Sequence, residues 1–377
     1  MAKYLPYTAT PILVSFGIFF ALQGQYWMWV YYAIFSSFII LGDLFLGDHK
    51  SRSKFSSTKI LNFLLYINLP LLFTIVAISI WMAGDLSLPE WGNSLITARV
   101  LTTPIHMAGY VFVIGLMVAS SGTNVGHELT HRKRNKFDMF MGNWLLALTW
   151  DCAFAIEHVY GHHKYVATPI DPATAKRGQN PYHFIIRSTI LSHRNAWIIE
   201  NNRLRKNGQS PLFGQNRMII GYLRSGILTA AAYFIGGWMG LIVFLLIGMG
   251  GKVMLEGVNF MEHYGLIREK GAPILPKHSW NTNRRISSFF LYNLTRHSSH
   301  HENASLEYWE LKAYPNAPEM PGGYLSCVYL VLFMPWLYHR IMAPKLKDWD
   351  QNFANSRERE LAQLQNTASG LPYLNPA

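Results

Sequence analysis

The sequence predicts an all-α integral membrane protein: six transmembrane helices with a cytosolic, histidine-rich helical cap. Three observations lead to this prediction. Half of the 377 residues are hydrophobic and only 14% are charged, whereas soluble domains carry about 25% charged residues. Several apolar runs reach the roughly 20 residues that a helix needs to cross a bilayer. Nine of the 15 histidines fall into four short groups that lie between and after those runs.

Six apolar segments account for the predicted transmembrane helices. No charged side chain occurs between Tyr4 and Gly42, a stretch too long for one span, so we expect two spans that turn at residues 23–25. Pro70 predicts a kink in the third span because proline disrupts helical hydrogen bonding. The remaining four spans are predicted at residues 60–84, 103–121, 218–235 and 238–255, with a turn at Gly236-Gly237 between the last two.

The placement of basic residues predicts that both termini are cytosolic. Four Lys or Arg residues lie in the loop after the second span, and four more open the segment after the fourth. The opposite loops carry almost none, and cytosolic loops are the ones enriched in Lys and Arg. Arg224 and Lys252 lie near the ends of the last two spans, where long basic side chains are expected to extend to lipid headgroups.

Five parts follow from these spans. Two of them are transmembrane, two are cytosolic segments that carry histidines and one short interfacial helix each, and the last is a polar tail that we expect to be mobile. In chain order they are residues 1–126 (helices one to four), 127–217 (cytosolic, interfacial helix 139–150), 218–258 (helices five and six), 259–344 (cytosolic, interfacial helix 325–338) and 345–377 (tail).

Charge and cysteine usage exclude several classes of protein. The formal net charge of +12 comes from 33 Lys and Arg residues against 21 Asp and Glu residues. Because no motif of a nucleic-acid-binding module is present, this excess favours anionic lipid and an acidic protein partner over nucleic acid. Cys152 and Cys327 stand far apart and outside any CxxC, which argues against a disulfide framework and a cysteine-ligated zinc site.

The grouped histidines have the spacing of metal ligands. On a helix, residues at i and i+4 share one face, so His127/His131 and His158/His162 are each predicted to serve one metal, and the last group likewise. Imidazole binds iron, zinc, copper and nickel, and nine ligands exceed what one tetrahedral zinc uses. We therefore expect two metals with four or five ligands each. The nine candidates are His127, His131, His158, His162, His163, His263, His297, His300 and His301.

Four acidic residues are further site candidates. Glu128, Glu157 and Glu262 each adjoin a grouped histidine, and metal-bound imidazoles usually donate their second N–H to a carboxylate or carbonyl. The same glutamates could instead pair with basic side chains on a helix surface. Asp43 lies near the end of the second span, where a carboxylate is costly and usually functional. Phe35 and Ile39 share its helix face, which is predicted to line a substrate passage, although that face could simply pack on a neighbouring helix.

Two hypotheses from other classes compete with an oxidative metal centre. Residues 127–131 (HELTH) match the HExxH pattern of zinc proteases, but such a site needs one further ligand and gives no role to the histidines from His158 onwards. A metal carrier is the other alternative. It would place its ligands inside the spans, where only His106 is found.

Four segments carry a resemblance to a known family: HELTHRK, EHVYGHHKYVATPIDPATAKRGQ, NFMEHYGL and RHSSHH. They resemble the histidine boxes of the membrane di-iron alkane hydroxylases and xylene monooxygenases, which are related to membrane fatty-acid desaturases. The likeness covers nearly the whole chain. The last box reads LTRHSSHH where alkane hydroxylases typically read LQRHSDHH, and YWELKAYPNAPEMP looks more like the xylene-monooxygenase subunit. The resemblance implies that all nine histidines bind two non-haem iron ions.

The same resemblance implies an activity and its partners. The enzyme is expected to hydroxylate a terminal or benzylic methyl group of a hydrocarbon with O2, as part of hydrocarbon degradation at the bacterial inner membrane, with its active site cytosolic. Electrons would come from rubredoxin and its reductase, or from a flavin/[2Fe-2S] reductase. The alternative within the family is a desaturase or fatty-acid hydroxylase. The HxxxHH spacing of residues 158–163 argues against it. Candidate donor contacts are Arg132, Lys133, Arg134, Lys136 and Lys164.

Overall fold

The computed structural model describes residues 2–86, 92–212 and 214–374, and every regular element in these ranges is helical. Short 3-10 turns (Leu5–Thr8, Pro276–His278) and two π-helical turns (Val118–Thr123, His158–His162) adjoin the α-helices. The α-helices are α1 (Ala9–Gln23), α2 (Trp27–Phe45), α3 (Lys59–Tyr66), α4 (Asn68–Ala83), α5 (Asn93–Val100), α6 (Pro104–Met117), α7 (Asn124–His131), α8 (Lys136–Ala147), α9 (Phe154–Glu157), α10 (His163–Tyr165), α11 (Pro181–Lys206), α12 (Arg217–His263), α13 (Arg285–Phe290), α14 (His297–Glu302), α15 (Tyr324–Phe333), α16 (Pro335–Asn352) and α17 (Ser356–Ala368).

Within the part of the chain that the structure describes, five continuous helical stretches have the length and composition of membrane spans. The first four coincide closely with the first four predicted spans, and the fifth contains both of the last two. They are Leu5–Gln23, Trp27–Phe45, Lys59–Ala83, Pro104–His131 and Arg217–His263.

The fifth stretch, α12, reverses its direction at Gly236-Gly237. Its 47 residues would extend about 70 Å as one straight helix, but Gly237 has φ +57° and ψ −152°, a conformation that only glycine adopts readily. Ser225 Oγ donates to the Ala147 carbonyl at 3.0 Å, and a Cβ on Gly248 would lie 2.7 Å from the neighbouring Leu148 carbonyl. Residues 217–235 and 238–263 therefore form a hairpin, with the turn where the sequence predicts it.

The kink predicted at Pro70 is present as a break between two helices, and it lies slightly earlier in the chain, at Ile67. α3 ends at Tyr66 and α4 begins at Asn68, because the proline ring crowds the carbonyl four residues before it and provides no N–H for that carbonyl. The Asn68 side chain donates to the carbonyls of Leu64 and Leu65 at 2.7 and 3.1 Å. That amide ties the start of α4 to the last turn of α3.

The centre of the bundle consists of α4, α6 and the second half of α12. Gly115 of α6 faces Gly250 of α12, where an added Cβ would lie 3.4 Å from the opposite backbone. Small residues at such crossings let transmembrane helices approach closely, which is where packing between spans is strongest. This close crossing fixes the relative position of the two stretches that end in His131 and His263.

The C-terminal segment corrects the expectation of a mobile tail. Residues 335–368 form α16 and α17, and buried polar contacts hold both helices. Arg177 donates to the two carboxylate oxygens of Asp350 at 2.6 and 2.7 Å. Glu358 accepts from Lys277 and, at 3.0 Å, from His278 Nε2. The predicted interfacial helix 325–338 is likewise divided into α15 and α16, because Pro335 begins a new helix.

Candidate metal centre

The nine grouped histidines meet at one end of the bundle. α7 continues α6 through the π-turn Val118–Thr123 and carries the first two, and the end of α12 carries His263. Both membrane stretches thus run on to supply candidate ligands. The π-turn His158–His162 with α10 supplies three more, and α14 supplies the last three.

The histidines form two groups, within each of which the ligand nitrogens lie less than 4.8 Å from one another. We call them the five-histidine group and the four-histidine group. The five-histidine group is His127, His131, His158, His163 and His300; the four-histidine group is His162, His263, His297 and His301. This division matches the expected four or five ligands for each of two metals.

Distances within the five-histidine group fit a metal ion. The Nε2 atom of His127 lies 3.0 Å from that of His300 and 3.1 Å from that of His131, and His163 Nε2 lies 3.1 Å from His158 Nε2. One ring nitrogen cannot both donate to one neighbour and accept from another. Imidazole nitrogens lie about 2.1 Å from a bound metal, so two at a right angle are about 3.0 Å apart. The observed spacing is therefore that of neighbouring ligands around one ion.

The four-histidine group shows the same spacing in a fully buried setting. His297 Nε2 lies 3.1 Å from His263 Nε2 and 3.0 Å from His301 Nε2, and His301 Nε2 is 3.2 Å from His162 Nε2. None of these four side chains is appreciably exposed. In the five-histidine group, by contrast, His131 and His163 are partly exposed.

The division corrects two of the predicted pairings. His127 and His131 share one group as expected, but His158 and His162 do not, because the π-turn spaces its hydrogen bonds by five residues and brings His158 to His163 instead. α14 also serves both groups: two of its histidines belong to the four-histidine group, and His300 belongs to the other.

Burial keeps these imidazoles in the form that binds metals. It lowers the pKa of His158, His163, His297 and His301 well below 6.5, and neighbouring histidines lower it further. The pKa of His300 falls to about 3 for the same reasons. Neutral rings offer a lone pair, and metal binding requires it.

His162 is held differently, by a residue whose role the sequence did not reveal. Burial lowers its pKa, but the Asp171 carboxylate, 2.9 Å from His162 Nδ1, outweighs burial and raises it overall. The Ala173 N–H and the Thr174 hydroxyl also donate to Asp171. A carboxylate at Nδ1 fixes the tautomer and leaves Nε2 for a metal. Asp171 lies in the second histidine box, yet no regular spacing links it to His162.

The three adjoining glutamates take different positions. Glu262 Oε2 lies 3.3 Å from His297 Nε2, and Glu262 Oε1 accepts from the Tyr324 hydroxyl at 2.7 Å. Glu157 is buried, which raises its pKa to about 8, and its Oε1 has no hydrogen-bond partner among residues 2–86, 92–212 and 214–374. Glu128 instead accepts from Arg132 at 2.7 Å, so it pairs with a basic side chain as in the alternative, although this pair is largely buried rather than on a helix surface.

The predicted passage face is only partly at the site. Asp43 accepts from the Ser287 N–H at 2.8 Å and from the Ser287 hydroxyl, so it supports the start of α13. Phe35 packs edge-on against Phe290 and does not line the cavity described next. Ile39 does line it.

A mainly apolar cavity, the central cavity, opens against both histidine groups. His127 and His158 of the five-histidine group and His297 of the four-histidine group border it. A second apolar groove between α6, residues 238–263 and the end of α15 shares one lining residue with the central cavity, Met254. The walls of the central cavity include Ile39, Leu116, Met254, Val258, Phe290 and Val328.

The chain is similar in sequence to known proteins over most of its length. Residues 101–331 match the family model described as fatty acid desaturase. The chain is 31% identical to the xylene/toluene monooxygenase hydroxylase component XylM of Pseudomonas putida, over 98% of this chain and 96% of that protein. It is 33% identical to an alkane 1-monooxygenase of Pseudomonas putida (90% and 83% covered) and 28% identical to alkane 1-monooxygenase 2 of Alcanivorax borkumensis (97% and 96%).

These matches show the family of the protein. The chain belongs to the fatty acid desaturase family, whose model covers more than half of it. Within it, the chain belongs to the family of membrane hydrocarbon monooxygenases that the alkane 1-monooxygenases and the xylene/toluene monooxygenase hydroxylase component represent. The resemblance seen in the histidine boxes is confirmed, and the protein is a multi-pass membrane protein.

Proposed function

We propose that this protein is an O2-dependent monooxygenase that hydroxylates a terminal or benzylic methyl group of a hydrocarbon such as an alkane or a methylarene. The balanced reaction takes the hydrocarbon, O2, two electrons and two protons to the alcohol and water. The observation that carries the proposal is the apolar cavity that ends against both histidine groups. The names and the extent of the matching relatives support the same reaction.

Each histidine group is proposed to hold one iron ion, which makes a non-haem di-iron centre. Buried, neutral imidazoles suit iron among other metals, and the reaction needs a metal that changes its oxidation state. Iron bound there would supply the reductive activation of O2. The side chains of the protein do the remaining work: Asp171 orients His162, and Tyr324 holds Glu262 beside His297.

The central cavity is proposed to bind the substrate by shape and exclusion of water. Its walls are mainly apolar, which favours a substrate without polar groups. Because Met254 borders both this cavity and the second groove, we propose that substrate passes from the bilayer along the groove and past Met254. Ile39, on the predicted passage face, also lines the central cavity.

The proposed topology has six crossings, with both termini and the histidine site on the cytosolic side of a bacterial inner membrane. The hairpin at Gly236-Gly237 supports counting α12 as two spans, since one crossing needs only about 20 residues. On this topology the five parts given by the sequence keep their boundaries, and residues 345–377 become a packed rather than a mobile part as far as residue 368.

The electron donor is proposed to dock where the five-histidine group is nearest the surface. His131 and His163 are partly exposed there, and Tyr160, 40% exposed, has the Lys133 ammonium 4.3 Å from its ring centroid. Lys164 is exposed beside His163. Arg132, expected at this surface, is committed to ion pairs with acidic neighbours. An acidic one-electron carrier such as rubredoxin, or the [2Fe-2S] domain of a reductase, has the complementary charge.

The proposed docking site predicts which face of the membrane the electron donor must reach, and it predicts that the reaction rate depends on the charge of that surface. Inverted vesicles, which expose the cytosolic face, are expected to be reduced by added donor, whereas right-side-out vesicles are not. Exchanging Lys133 and Lys164 for glutamate is expected to lower the rate at limiting donor by about tenfold and to weaken its salt dependence. Equal reduction in both vesicle orientations would contradict the topology, and an unchanged rate in the double variant would contradict the docking surface.

Oxygen-isotope labelling tests the proposed reaction itself. Purified protein with an electron donor, an alkane or xylene and 18O2 is expected to yield alcohol that carries one labelled oxygen. A desaturase would yield an unlabelled alkene, and a zinc protease or a metal carrier would yield no oxidised product. Either result would overturn the proposed function.

A further inference from the structure

A buried row of charged side chains lies beside the metal centre without binding it. Lys252, expected at the headgroups, is instead enclosed: its ammonium lies 2.7 Å from Asp151 Oδ2 and 2.7 Å from Glu256 Oε1. The side chains of Asp151 and Glu256 are 1% exposed, and that of Lys252 is 12% exposed. Burying such charges costs several kcal/mol per ion, so ionisable groups in a membrane protein usually mark a function.

The row continues from the ion pairs to the central cavity. Glu256 Oε2 accepts from the Asn259 amide at 3.2 Å, and Asn259 lines the cavity together with His127 and His158. Lys252, Glu256 and Asn259 are spaced i, i+4 and i+7 along α12, so they occupy one face of the helix over about 10 Å. At the other end, Asp151 Oδ1 has no hydrogen-bond partner in the part of the chain that the structure describes.

We propose that Asp151, Lys252 and Glu256 deliver protons to the central cavity by way of Asn259, which lines the cavity and hydrogen-bonds Glu256. The inference rests on the proposed function, because each turnover consumes two protons in a cavity whose walls are largely apolar. A proton passes from the Lys252 ammonium to the Glu256 carboxylate and on into the cavity. A second proton, arriving by way of Asp151, restores the ammonium, so no charge accumulates in the row.

The alternative is that the row has only a structural role and holds the segment after α8 against α12. The two roles differ in what an isosteric change does. Glu256→Gln keeps the size of the side chain and one acceptor oxygen, but an NH2 group replaces the other oxygen, and the side chain can no longer carry a proton. A structural row would then lose thermal stability, while each folded, iron-loaded molecule would keep its turnover.

The test compares Glu256→Gln with wild-type protein in the same 18O2 assay. We expect unchanged iron content, alcohol formation reduced by at least roughly tenfold, a larger solvent deuterium isotope effect and fewer alcohol molecules per electron pair consumed. The matched control is Glu200→Gln. Glu200 is also buried and pairs with two basic residues, Arg203 and Arg217. Neither of these partners lines the central cavity, whereas Asn259, the partner of Glu256, does, so the control should keep wild-type turnover.

Each outcome is decisive. Wild-type turnover and isotope effect in Glu256→Gln would overturn the proton row and leave the proposed function standing. Absence of labelled alcohol from the wild-type protein would overturn the proposed function, and the row's role with it. If Glu256→Gln fails to fold or to hold iron, Asp151→Asn at the far end of the row replaces it, with the same loss of turnover expected and wild-type turnover as the contradicting result.

Discussion

Replacing His162 and His163 together by alanine is expected to remove most of the bound iron and to reduce hydroxylation to background. The two residues are neighbours in the chain, but their Nε2 atoms belong to different groups, so the double change removes one ligand from each. The measurement is elemental analysis of the detergent-purified protein. Wild-type protein should hold about two iron ions per chain, because nine imidazoles divide into two ligand sets.

A matched control separates ligand loss from the loss of any two imidazoles. His183 and His193 lie on α11, outside both groups, and replacing both by alanine should leave the iron content unchanged. The outcome that would contradict the di-iron proposal is one zinc ion per chain that the His162/His163 change does not affect. Such a result would favour a zinc site built from HELTH.

Changing Asp171 to asparagine is expected to weaken metal binding at the four-histidine group by roughly 10- to 100-fold, with a similar loss of activity. Asp171 Oδ1 accepts from the Ala173 N–H at 3.1 Å, while Oδ2 accepts from His162 Nδ1 at 2.9 Å. If the side-chain oxygen of the asparagine still accepts from the Ala173 N–H, then its NH2 group faces His162 Nδ1. His162 would then carry its proton on Nε2, and that nitrogen could no longer bind a metal.

The measurement is iron retention during dialysis against increasing chelator concentration, with the two ions released in separate steps. We expect Asp171→Asn to lose one ion early and the second at nearly the wild-type concentration. Thr174→Val is the control, since it removes one hydrogen bond to Asp171 but keeps the carboxylate, and its effect should be small. Simultaneous loss of both ions would show that Asp171 supports the whole centre rather than one group.

Much of the fold could be predicted from the sequence because the bilayer restricts what an apolar run can do. Segment length located the spans, and Gly236-Gly237 located the hairpin. The nine candidate ligands could also be selected, since histidines grouped directly after membrane spans are typical of metal ligands. The tail was misjudged because its anchors, Glu358 and Asp350, resemble ordinary surface acids until their buried partners from distant segments are known.

The assignment of histidines to two groups could not be predicted, for a local reason. The histidines were assigned to common helix faces on the assumption of 3.6 residues per turn, but residues 158–162 form a π-turn. Likewise, Asp171 and Lys252 owe their roles to contacts across nine and 101 positions of the chain. Such pairings depend on tertiary packing, which no local periodicity encodes.

The two π-turns have a consequence for how the family can diversify. Each places extra backbone in a helix that carries ligands, Val118–Thr123 before His127 and His158–His162 within the second box. Successive residues of a helix are about 100° apart around its axis, so losing one residue from either turn would rotate the imidazoles that follow it on the same helix out of their groups. We therefore expect substitutions in the cavity walls to be tolerated more readily than insertions or deletions in these two segments.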